Sequence, residues 1–142
     1  MKTIGFNLTK IHAENIDNNK SKNSADTNLE FLEVDKTKVD VMKDQEVLVF
    51  SFKFTVTYTE SQEKKEKSGE VIFEGKIILA TDKEETKEIL KSWKKKEIAD
   101  AIRTPLFNLV LQKCSVKALT LEEDVGLPSH IPLPNIRPNP AS

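Results

Sequence analysis

The sequence predicts an α+β fold: a four-stranded antiparallel sheet, then a long proline-started helix, then an extended Pro-rich tail. Three observations carry this expectation. Over residues 48–58, Leu48, Phe50, Phe52, Phe54, Val56 and Tyr58 alternate with Val49, Ser51, Lys53, Thr55 and Thr57, the period of a strand with one apolar face. All strand-like sequence precedes all helix-like sequence, which separates α+β chains from α/β ones. After Gly126 five prolines follow, and proline suits neither a helix interior nor a central strand.

The elements follow in order. Residues 2–12 form the first strand, with Ile4, Phe6 and Leu8 alternating with Thr3, Asn7 and Thr9. Residues 14–28 are polar and read as a surface connection, since little apolar burial is available to offset the entropy of ordering them. A second strand covers 29–42, and the short turn at Lys43, Asp44, Gln45 and Glu46 leads antiparallel into the aromatic strand. Residues 60–69 form a charged loop, with Lys64, Lys65 and Lys67 among Glu60, Glu63 and Glu66, and read as a solvated tip. The fourth strand, 70–80, is apolar on both faces near its end through Ile72, Phe73, Ile77, Ile78 and Leu79, a pattern expected of burial on two sides.

Asp82 and Glu85 have the spacing of a capping box and open a helix with Ile89, Leu90 and Trp93 on one side. The lysines that follow, Lys94 to Lys96, read as a solvated face. Thr104 before Pro105 is a start signal for a second helix over 105–122. Phe107, Val110, Leu111, Cys114, Ala118 and Leu121 make a wide apolar stripe on it, while Leu109 and Val116, with Leu106 nearby, make another. A helix apolar on two sides needs two layers. One sheet supplies one layer, so Leu106, Leu109 and Val116 are assigned to an oligomer interface, the competing cover being the Pro-rich tail. In the tail, Leu127, Ile131, Leu133 and Ile136 give extended chain an apolar side to lay on the domain. The expected organisation is one α+β domain over 1–126 with 127–142 packed on it.

Composition narrows the function. Charged residues make up 32% of 142 residues but cancel to a net charge of -1, so nothing global favours nucleic acid or an acidic membrane as partner. The single cysteine, Cys114, forms no internal disulfide, and no N-terminal stretch reads as a signal peptide or a span, so a soluble cytoplasmic protein is expected. There is no glycine-rich phosphate loop, no HExxH, no paired cysteines and no metal-suited carboxylate spacing, so neither enzyme activity nor a cofactor or metal is expected. His12 and His130 read as isolated surface or loop histidines, and Cys114, inside the apolar stripe, as a packing residue.

With the sheet followed by "RTPLFNLVLQKCSVKAL" over 103–119 and "LPSHIPLP" over 127–134, the chain resembles the SecB family of export chaperones. The resemblance is to the smaller SecB-like proteins, in a form without the second helix that follows the crossover loop in SecB. It implies a four-stranded antiparallel meander and a homotetramer, a dimer of dimers with sheets joined edge to edge. It also implies apolar grooves that hold unfolded polypeptide, with Phe50, Phe52, Phe54, Leu127, Ile131, Leu133 and Ile136 as client-binding residues. The leading function is therefore an ATP-independent holdase for unfolded or preprotein chains, with a translocation motor as a partner in export. The alternatives are a dedicated chaperone of one partner, such as an antitoxin, and a small-ligand binder or enzyme with a pocket between helix and sheet.

Overall fold

The computed structural model describes residues 1–37, 45–61, 63 and 66–134. The predicted strand end at Met42, the turn residues Lys43 and Asp44, the loop residues Lys64 and Lys65, and Ile136 lie outside the described residues. Four strands, β1 (Lys2–Asn15), β2 (Ser24–Thr37), β3 (Glu46–Thr59) and β4 (Gly69–Thr81), precede two helices, α1 (Lys83–Trp93) and α2 (Asp100–Val125).

All pairings are antiparallel, and the strand order is β1-β4-β3-β2. This is not a simple meander, because β1 pairs with β4 instead of β2. The short links of β2 to β3 and β3 to β4 leave the far side of β4 free, and β1 takes it. The chain after β1 then crosses the sheet end. Ile16 and Asp17 N–H donate to the Ser68 carbonyl at 3.1 and 3.4 Å, and Ser68 N–H donates to the Tyr58 carbonyl at 2.8 Å. The polar surface connection expected over 14–28 shrinks accordingly. Residues 24–28 are strand, Ser24 facing Thr59 and Asn28 facing Thr55. An edge strand bonds on one side only and leaves polar side chains in water, so low apolar content does not bar it from the sheet.

One face of the sheet holds the core. Leu48, Phe50, Phe52, Phe54, Val56 and Tyr58 of β3 and Val71, Phe73, Ile77 and Leu79 of β4 are all buried in one core cluster with Ile89 of α1, Leu106, Val110, Cys114 and Ala118 of α2, and Leu127. Ile72 and Ile78, on the opposite face, are half-buried. The capping box of α1 is present, with Glu85 N–H on Asp82 Oδ1 at 2.8 Å and Asp82 N–H on Glu85 Oε1 at 3.3 Å.

The start of α2 differs from the expectation. The helix begins at Asp100 with Ala99 as N-cap, and Pro105 lies inside it, so Thr104 is not a cap. The carbonyl that loses its helical partner to Pro105 belongs to Ala101, an exposed residue that water can serve. The buried ridge is also rearranged. Leu106, Val110, Cys114, Ala118 and Glu122, every fourth residue, face the sheet. Leu106, 2% exposed, is thus core and has no outer surface to give an oligomer. Leu109 packs partly against the core, whereas Val116 is 67% exposed and faces outward.

Candidate functional site

The sequence-predicted client residues do not share one surface. Phe50, Phe52 and Phe54 are completely buried, so none offers a client any area in this structure. They build the core. Leu127 is buried as well, in the space left by Gly69, while Ile131 and Leu133 are exposed.

What the fold does bring together is a groove between the β2 edge, the end of α1 and the start of α2. Its open volume is about 760 Å³, and Leu29, Phe31, Trp93, Ile98 and Phe107 supply its apolar lining. Phe31 is the hinge of this surface. Its ring lies 4.8 Å from Phe107 and 5.2 Å from Phe50, linking the groove to the core. A β-bulge between Phe31 and Glu33 leaves Leu32 exposed at the rim. Lys96 holds positive φ of 58° in the link between helices, and its ammonium lies 4.7 Å over the Trp93 ring, a cation–π contact. Ile98 also lines a second cleft of about 380 Å³ between α1 and α2, with Ile89 and Ile102 as its apolar side and Lys91 and Lys95 at its rim. Such a surface can take alternate apolar side chains of an extended chain. Beside it β2, an edge of the sheet, has no strand partner on its outer side among the described residues, which leaves that side open to main-chain bonding.

A second polar feature lies at the other end of α2. His130 Nδ1 is 3.0 and 3.2 Å from the two carboxylate oxygens of Glu122, and the side chains are 1% and 2% exposed. The reading of His130 as a surface histidine is thereby corrected: Gly126 turns the chain back and buries the ring edge-on against Phe54, at 6.2 Å. Burial raises the Glu122 carboxyl above its ordinary value, opposed by the hydrogen bond and charge of His130. Asn15 Nδ2 closes the corner by donating to the Val125 and Gly126 carbonyls at 3.1 and 3.4 Å.

His12 is not isolated either. Its Nε2 lies 3.2 Å from Glu70 and 3.5 Å from Glu14 on the outer face of the β1–β4 ladder. These are the residues, among those described, close enough to share a metal ion. They are partly exposed, and Lys67 already engages Glu70 at 2.9 Å, the main cause of its lowered carboxyl pKa. The Cys114 thiol is pushed up to about 11 by burial, which keeps it protonated and unreactive at neutral pH.

Sequence reasoning missed both the groove and the buried pair. A signal for the pair exists: the four-residue ridge from Leu106 through Ala118 ends on Glu122, and a carboxylate on a core ridge needs a buried partner. The groove has no such signal, because Phe31, Trp93 and Phe107 come from three elements. No protein-family model, curated protein or solved structure matches the chain. Among the described residues no helix is long and apolar enough to cross a membrane.

Proposed function

We propose that the protein holds extended, apolar polypeptide segments without chemistry, as an ATP-independent holdase of SecB-like type that works as an oligomer. The observation carrying this reading is the groove in which half-buried Phe31, Trp93 and Phe107 lie beside the free edge of β2. Several weak apolar contacts made together suit long, flexible clients. Exposed Ile131 and Leu133 extend the apolar surface offered by the tail. The oligomer is supported by the opposite edge: β1 carries exposed Ile4 and Ile11, and Val116 stands out from α2, so a second copy has apolar area to cover. Tetrameric assembly and an export motor belong to the same proposal; a dedicated chaperone of one partner, such as an antitoxin, is its alternative.

Trp93 is the single tryptophan, and it sits in the groove. Its emission is therefore the direct test. Titration with a reduced, unfolded protein should shift Trp93 emission, and the intact protein should suppress that substrate's aggregation without ATP. Phe107→Ser should weaken both while the fold persists. Unchanged emission together with unchecked aggregation would remove the holdase reading.

A further inference from the structure

We propose that residues 127–134 form a strap closed over the Phe54 end of the sheet's inner face, and that the buried Glu122–His130 pair is a proton-counting latch that holds it shut. This goes beyond client holding and does not depend on it.

The strap is defined at its root. Gly126, at φ 74°, ends α2 and reverses the chain, and Leu127 N–H donates to the Glu122 carbonyl at 2.8 Å. Leu127 then drops into the hollow at Gly69, and His130 seats its ring on Phe54. Beyond that point Ile131 and Leu133 are exposed, so the apolar hold is at Leu127 and the polar hold at His130. Pro128, Pro132 and Pro134 stiffen the segment and favour its movement as a unit.

The latch follows from counting protons. With one proton between them the pair is neutral overall, whichever partner carries it. With none, a carboxylate is buried without a counter-charge; with two, an imidazolium is. Both side chains are almost wholly removed from water, so each extreme penalises the closed strap. Among the described residues no other charge takes over this role. Lys20, Lys22 and Glu123 line the cleft that Glu122 shares with Asn15, but Lys20 is paired with Glu66 and Lys22 donates to the Asp17 and Lys20 carbonyls. From β3 the neighbour is the Phe54 ring, and β1 contributes the uncharged Asn15. The second ring nitrogen, His130 Nε2, is buried without a hydrogen-bond partner among the described residues, so the ring is held there by its Glu122 side.

The chain has two histidines, and His12, 38% exposed, is the internal control. Diethylpyrocarbonate modifies accessible neutral imidazole, so the His130-to-His12 modification ratio, read by peptide mass spectrometry, reports strap opening. In the full chain His130 should react at least about tenfold more slowly than His12 near neutral pH, and the ratio should climb as the pH is raised further and the pair gives up its shared proton. Glu122→Gln keeps an acceptor for Nδ1–H and removes the charge, so its ratio should stay low and flat. His130→Gln leaves Glu122 without a proton-sharing partner, and should bind more of the apolar dye anilinonaphthalenesulfonate than the parent at neutral pH, with unchanged far-UV circular dichroism. Equal reactivity of His130 and His12 at neutral pH would show that no closed strap exists. The same alkaline rise in Glu122→Gln, or parental dye binding by His130→Gln, would remove the latch.

Discussion

Gly69 and Leu127 fit each other as hollow and knob: a Cβ at position 69 would lie 2.5 Å from Leu127 Cδ2 and 3.2 Å from the Glu14 carbonyl. The first residue of β4 thereby fixes where the chain lies after α2. Gly69→Ala is expected to cost about 1–3 kcal/mol by overpacking. Leu127→Ala alone should cost about 2–5 kcal/mol through the cavity it leaves. In the double variant the costs should not add, because the alanine methyl enters the space Leu127 vacates. Urea denaturation of the three variants checks this, and strict additivity would mean the two residues do not interact.

Glu122 gives a pH dependence of defined sign. Burial raises its carboxyl pKa in the folded protein, so the folded state favours the protonated form. The stability this group contributes is complete below the ordinary carboxylate pKa and is lost as pH rises through the higher folded value. Glu122→Gln lacks that loss. Its stability relative to the parent should therefore improve as the pH is taken from the ordinary carboxylate range to well above it. Denaturant midpoints at both ends measure it; a relative stability that worsens with pH would contradict the burial argument.

Cys114 sits fully buried in the middle of the α2 ridge with its thiol pushed up to about 11. In the native protein it should resist thiol reagents until the chain unfolds. Cys114→Ala should cost on the order of 1 kcal/mol and leave function in place. Rapid native-state labelling, or loss of function in a folded variant, would be evidence of a chemical role.

Val116 and Leu106 separate assembly from folding. Val116 is 67% exposed and Leu106 is 2% exposed on the same helix. Val116→Asp should stay folded and, where a second copy covers that face, lower the mass seen in light scattering. Leu106→Asp should instead unfold the subunit, since a buried unpaired carboxylate costs several kcal/mol. An unchanged mass for folded Val116→Asp would place the interface elsewhere, with the Ile4 and Ile11 edge of β1 next to test.

The α+β class, the number of strands, the aromatic face of β3 and the capping box of α1 were all legible in the sequence, because each is a local pattern. Alternation from Leu48 to Tyr58 and the Asp82–Glu85 spacing need no distant residue to take effect. Partners separated in the chain were another matter. β1 lies beside β4 because the link through Ile16 and Asp17 bonds across the sheet end, and residues 24–28 became strand because β3 offered them a ladder. Likewise Leu106 belongs with the core because it stands one i+4 step before Val110, Cys114 and Ala118 on the ridge that packs on the sheet. The groove of Phe31, Trp93 and Phe107 and the Glu122–His130 pair exist only where elements converge. Helix and strand periods fix which side of an element is apolar, but the packing of one element on another decides which apolar residues are sealed, which remain open, and which buried charge meets its partner.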